Sequence, residues 1–394
     1  MVELNTVAKM QKTAPAPQNY DSGPYSPMLI IGASTNKAAF IGTAKTGPYN
    51  IAVPVSNFKE FEAVFGGFDP SQYLAYAVDL FFKNGGNEAY VVRAGEVATP
   101  ARASVLVSKL TKTEILRTSS MDIESALSAL SKVGDANIVA VPGAIGAGIY
   151  EKVISHCANK KRFAILDLPQ GIGVEEAVKI RKNEMRSSEG MAATYYPWLE
   201  IVDPVTNRKI LVPPSGAVAG VFAGSDDARG VHKAPANISL LCVSGLEKTI
   251  TNQEQESLYE ANINPIRPFT GKGFLVWGAR TISDEPNKRL INERRLMLYL
   301  EHSINDSTQW ISMNSNDGDL WATVKKTIEK FLKRCWENGM FAGTRPDDAF
   351  FVRCGLGETM TSEDVLNRRL IAEVGVAPAR PNEFIVFRIS YLTE

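Results

Sequence analysis

The feature that most constrains this fold is an alternation of helix-period and strand-like segments between Met121 and Leu246. "IESALSALSKV", "GIYEKVISHCANK" and "VEEAVKIRKNEMRS" carry apolar residues at three- and four-residue spacing and read as helices. Between them, "NIVAVPG", "RFAILDLP" and "AATYYPWLEIVD" are short apolar runs that read as strands, and "SLLCVSG" reads as another. Strands separated by helices are joined by crossovers, which commits the region to a layered α/β domain with a mostly parallel sheet.

The flanks read differently. "AAFIGTAKTGP" is a strand entering a Gly-Pro turn, "NFKEFEAVFGG" and "YLAYAVDLFFKNGG" are helices closed by glycine pairs, and "EAYVVRA" is a strand. "SVLVSKLTKTEILRT" has the pattern of a β-hairpin. Downstream, "GKGFLVWGARTI" has the pattern of a strand buried on both faces. Two long helices follow, "NKRLINERRLMLYLEHSI" and "DGDLWATVKKTIEKFLKRCWENGM", the second capped by Asp317 or Asp319 and stopped at Gly339. "DDAFFVRCG" and "NEFIVFRISYL" are strands. A chain of 394 residues exceeds one compact core. The expected order is an extended arm over residues 1–27, punctuated by Pro15, Pro17, Pro24 and Pro27, then an α+β segment over 28–100. An α/β domain over 101–250, an α+β domain over 251–382 and a terminal strand or arm over 383–394 complete it.

Chemistry is hard to find in this sequence. Lys plus Arg (43) equals Asp plus Glu (43), so no net field favours nucleic acid or an anionic membrane. The longest small-apolar run, "AVAGVFAG", is far short of a membrane span, and the N-terminus lacks the apolar stretch of a secretory signal. Cys157, Cys242, Cys335 and Cys354 form no CxxC pair and read as reduced, buried thiols. His156, His232 and His302 have no metal-ligand spacing. "GAIGAGIY" opens a helix after a strand, but its glycines at 143, 146 and 148 do not make a dinucleotide loop. Ser215 in "VPPSGAVAG" lacks a nucleophile elbow, although Asp203, Asp226 and His232 are near it in sequence. No catalytic, cofactor or metal site is expected. The competing reading is an α/β hydrolase-like or subtilisin-like enzyme acting through Ser215 or Ser244.

Seven ordered words carry a resemblance. They are "YYPWLEIVDP", "VPPSGAVAGVFAGSDDARGVHKAPAN", "INPIRPFTGKGFLVWGARTI", "INERRLMLYLEHSI", "DLWATVKKTIEKFL", "AFFVRCG" and "VGVAPARPNEFIVFRI". Together with the opening "AAFIGTAKTGP" and "FKEFEAVFGG", they make the chain similar to the tail sheath family of contractile-tailed bacteriophages and related contractile injection systems. The resemblance implies a subtilisin-like α/β layered middle domain without protease activity. It also implies an α+β C-terminal sheath domain facing an inner tube, and extended N- and C-terminal arms. The chain has no room for the outer domains of the largest phage sheaths.

The mechanism implied is mechanical. Copies polymerise as stacked rings around a tail tube, and a baseplate trigger releases the lattice into a shorter, wider form that drives the tube through a cell envelope. The partners implied are other copies, the tube protein, the baseplate and the tail terminator, with assembly in the bacterial cytoplasm before the sheath joins a phage tail or an injection particle. On this reading Trp277 is a core anchor, Gly278 lets a neighbouring element approach, and Arg280, Arg294 and Arg295 are fixed by carboxylates such as Glu293 or Glu301. The final strand, Glu383, Phe384, Ile385, Val386, Phe387, Arg388, Ile389 and Tyr391 among its residues, is an apolar edge that either joins a neighbour's sheet or sits inside its own domain. Lys325, Lys326, Lys330 and Lys333 form a basic helical face in a chain of zero net charge with no aromatic stacking platform, so a tube contact or a solvated face is expected there rather than nucleic acid. One chain carrying every word argues against the split sheath of type VI secretion, and leaves phage tail and extracellular particle both open.

Overall fold

The computed structural model describes residues 4–7, 29–95, 121–378 and 385–393. The expected hairpin over 104–118 and most of the arm over 1–27 lie outside the described residues. The chain forms two compact units: Ser34–Leu298, and a second made from both chain ends, Met1–Ala33 with Tyr299–Glu394.

The Ser34–Leu298 unit is built on a nine-stranded sheet. Across it the strands run Ile238–Ser239, Gly273–Val276, Asn264–Phe269, Ala192–Tyr196, Phe163–Asp167, Ile138–Ala140, Ala38–Gly42, Ala89–Arg93 and Ala52–Val55. The six from Asn264–Phe269 to Ala89–Arg93 are parallel, and the flanking strands are antiparallel. Every residue of Ala38–Gly42, Ile138–Ala140, Phe163–Asp167 and Ala192–Tyr196 is buried, as layered parallel sheets require. The alternation in the sequence is therefore realised, and the intervening helices Ile123–Leu130, Ala147–Lys160 and Val174–Glu184 fall where their apolar periodicity places them.

Two boundaries move. The 28–100 segment is no separate piece, because Ala38–Gly42 and Ala89–Arg93 sit inside the sheet of the α/β region. The expected break near residue 250 disappears as well, since Asn264–Phe269 pairs with Ala192–Tyr196 and extends the same sheet. The border falls instead between Leu298 and Tyr299, inside the helix Ile291–Ser307. "SLLCVSG" is not one strand: only Ile238–Ser239 at its start and Gly245–Leu246 at its end pair, and Cys242 between them takes φ +61°.

The helix Ser215–Arg229 is not apparent in the sequence, where "AVAGVFAG" is only a short apolar run. It is buried along nearly its whole length and packs on the helix Leu74–Lys83. Gly216, Gly220 and Gly224 recur every four residues on its contact side. A Cβ on Gly216 would lie 2.4 Å from Ala77 Cα, and one on Gly220 would lie 2.4 Å from the Phe81 carbonyl oxygen. One on Gly224 would lie 3.2 Å from Gly85 Cα. No larger residue fits this backbone-to-backbone approach.

The second unit carries a four-stranded sheet in the order Leu4–Val7, Ile385–Leu392, Arg369–Val376, Phe350–Arg353. Arg369–Val376 runs antiparallel to both neighbours, whereas Leu4–Val7 joins Ile385–Leu392 in parallel, with Leu4 opposite Phe387. The helix Gly318–Glu337 starts at Asp317, whose side chain accepts from the Leu320 amide, and buries Leu320, Val324, Ile328, Phe331, Leu332 and Cys335 along one face.

Candidate assembly site

The enzyme candidates come first. Ser215 is completely buried at the start of its helix. Its Oγ donates directly to Asp167 Oδ2 at 2.6 Å, and its amide and that of Gly143 donate to the same carboxylate. Asp167 thus ties the helix start to the end of a central strand. Burial raises its carboxyl to about 6, against the pull of those hydrogen bonds. In α/β sheets ligands bind where the strand order reverses, here between Ala38–Gly42 and Ile138–Ala140. Tyr73 closes that crevice: a Cβ on Gly143 would lie 2.4 Å from its ring, and Trp198 packs edge-on to it. A cavity of about 20 Å³ is left between Gly42, Tyr73 and Gly143, room for about one water. Ser244 is exposed and bonds the Glu200 backbone and side chain. His156 accepts from or faces the Arg162 guanidinium at 3.2 Å, and burial with that charge holds it down to about 4. Among the described residues no group of three or more His, Cys, Asp or Glu is placed to hold a metal. Cys157, Cys335 and Cys354 are buried with thiols pushed up to about 12, but Cys242 is exposed, contrary to expectation.

The Trp-Gly-Arg word needs correction. Its strand ends at Val276, and Trp277 is 39% exposed, lying against Phe269 at 4.5 Å between ring centroids. It is a surface aromatic, because the chain leaves the sheet ladder at this point. Gly278 sits against Asn264, where a Cβ would be 3.0 Å from the Asn264 Cα. Among the described residues Arg280 is held by no carboxylate: it donates to the Tyr259 carbonyl and Asn262 Oδ1 and stacks 3.4 Å over the Tyr259 ring. Arg295 does find a carboxylate, but a distant one. It grips Asp226 in a bidentate pair of 2.9 and 2.6 Å, both side chains being buried, and also donates to the Thr35 carbonyl. Arg294 is buried beside it in sequence.

The terminal strand pairs here within its own chain. Phe387 and Ile389 are buried, Tyr391 shares a 2.6 Å hydrogen bond with Thr308, and the Arg388 guanidinium donates to Glu373. Ile385 and Val386 enter the ladder through their backbones, and Glu383 and Phe384 lie outside the described residues. The basic face is also smaller than expected. Lys326, Lys330 and Lys333 are exposed in one row of the helix Gly318–Glu337, whereas Lys325 is half-buried on another side, where its charge acts on Glu329.

Residues 117–282 match the phage tail sheath protein central domain, and residues 283–391 match the phage tail sheath C-terminal domain. This chain belongs to the phage tail sheath family. The contracted sheath of the extracellular contractile injection system PVC shares 27% identity, with a TM-score of 0.76 over 95% of this chain and 97% of that one. The contracted helical sheath of the anti-feeding prophage shares 26% identity, with a TM-score of 0.70 over 95% and 98%. The tail sheath protein of Vibrio phage KVP40 is 26% identical over 188 residues, 46% of this chain but 27% of that protein. The matched stretch thus spans about a quarter of that phage protein's length. Among the described residues no helix is long and apolar enough to cross a membrane.

Proposed function

We propose that the chain is the structural subunit of a contractile sheath that polymerises around an inner tube and contracts to drive it through a target envelope. The likeness to the contracted PVC sheath over nearly the full length of both chains carries this reading. The Ser34–Leu298 unit serves as a subtilisin-shaped rigid body whose crevice is filled by Tyr73, and Ser215 serves as a structural link rather than a nucleophile. The joint between subunits is the terminal sheet. Leu4–Val7 is a four-residue edge strand, so a neighbour's equivalent strand can take its place by main-chain pairing alone. The Ile385–Leu392 strand supplies the ladder it pairs with, and both ends act as arms. Lys326, Lys330 and Lys333 face the tube, where salt-sensitive charge contacts hold before firing and slip during it.

A second reading concerns the machine. The sheaths of two extracellular particles match over 95% of this chain at 26–27% identity, which favours a non-phage injection particle. Electron microscopy of the chain co-produced with its tube tests the function: hollow cylinders are expected, and dispersed monomers would refute it. Removing residues 1–20 should leave folded, soluble protein that forms no cylinders. A fluorophosphonate probe should leave Ser215 and Ser244 unlabelled.

A further inference from the structure

An open groove lies in the Ser34–Leu298 unit, between the helices Val174–Glu184 and Asn252–Glu260. Val174, Val178 and Ile180 line its floor, and Glu175, Glu176, Glu184 and Glu254 stand around it with one lysine, Lys179. Glu254 is committed to its own helix start through a capping box with Thr251. Glu175 and Glu176 occupy the first turn of their helix, where the dipole favours them. Glu184 has no such excuse. It ends the same helix, where a negative charge opposes the dipole, and among the described residues Glu175, Glu176 and Glu184 enter no ion pair.

The opposite arrangement stands on the other unit. Lys326, Lys330 and Lys333 follow one another at four- and three-residue spacing on the exposed face of the helix Gly318–Glu337, like charges that repel along the row. They too enter no ion pair among the described residues. Each surface carries a local electrostatic cost that its own fold does not relieve, and each is the complement of the other in sign and in form, a charged helix and a groove between helices.

We propose that the groove of one copy receives the lysine row of a second copy. The inference rests on the sheath reading, because only an assembly brings many copies into register. It adds a second anionic partner for the row: the tube while the sheath surrounds it, and a neighbour's groove once contraction has drawn the sheath away. Charges released from the tube are then captured rather than returned to water, which makes the shortened lattice the more stable one.

Charge exchange tests this in the full chain. Glu175→Lys with Glu184→Lys should lower the yield of contracted cylinders by roughly tenfold, as should Lys330→Glu with Lys333→Glu. In cylinders assembled without the tube, where the row's tube contact does not enter, all four changes in one chain should restore the yield to within about threefold of the parent. The milder pair Glu175→Gln with Glu184→Gln, whose melting temperature should match the parent, should lower the yield less. Normal cylinders from the groove variant, or no recovery in the fourfold exchange, overturns the proposal while leaving the sheath reading intact. A parent chain that forms no cylinders at all would instead refute the sheath reading.

Discussion

The two units solve stability in opposite ways. Ser34–Leu298 is one continuous stretch of chain held by interlocked side chains: a parallel sheet buried on both faces, a helix pair in glycine contact and a buried Asp226–Arg295 pair. The other unit draws its sheet from both ends of the chain, and one of its four strands is held through backbone pairing of only four residues. Side-chain interlock resists deformation because close-packed interiors have few alternative arrangements. A backbone ladder is indifferent to which chain supplies the strand. On the proposed reading the difference separates a rigid body from a joint, and each part of it can be broken separately.

The largest effect is expected at the ion pair. Asp226→Ala leaves the Arg295 guanidinium buried without its carboxylate and should destabilise the Ser34–Leu298 unit by about 3–5 kcal/mol. Denaturant unfolding followed by a probe in that unit checks it, and a loss under about 1 kcal/mol would show that the pair does not hold the unit together. Adding Arg295→Met should return part of the loss.

Next comes a pair of opposed titrations. The raised carboxyl of Asp167 means that its proton binds the folded unit more tightly than the unfolded chain. Its contribution is therefore present below about pH 4 and lost as pH rises through about 6, on the order of 2–3 kcal/mol. His156 runs the other way: the fold holds it neutral, so its contribution is present above about pH 6.5 and lost as pH falls towards about 4. In the parent these two contributions should nearly cancel across this window. Asp167→Asn should lose stability on acidification and His156→Gln should gain it. Parallel pH profiles for both variants would contradict the assignment.

Gly220→Ala should cost about 1–3 kcal/mol by prising the two helices apart, a few degrees in melting temperature for a unit of this size. A neutral effect would mean that the helix contact gives way, and that the rigid half of the comparison is softer than its packing implies. The smallest effect is expected at Trp277→Ala. An exposed ring that keeps only its Phe269 contact should cost about 1 kcal/mol, and a loss above about 3 kcal/mol would restore it to the core.

The sequence made the interlocked half largely legible, because burial on both faces writes itself into continuous apolar strands separated by periodic helices. It hid whatever depends on partners far away in the chain. Asp226 lies 69 residues from Arg295, so nearby Glu293 and Glu301 looked like the obvious partners. From Gly216 to Gly224 the helix Ser215–Arg229 is apolar all round and rich in small residues, so it has no amphipathic rhythm, yet the four-residue glycine spacing is legible there. Trp277 was misplaced because alternation continues past Val276 in the letters but not in the ladder. The division of the four lysines was available in principle, since Lys325 stands a full helical step away from the row of Lys326, Lys330 and Lys333.

The pairing of Leu4 with Phe387 also sets a timetable. A ribosome makes Leu4–Val7 long before Ile385–Leu392, so during nearly the whole of synthesis the early strand has no ladder to enter. A half-made chain therefore offers neighbours no finished edge to join, and loop closure across almost the entire sequence makes this one of the last contacts to form. On the proposed reading, synthesis of Ile385–Leu392 becomes the licence for assembly.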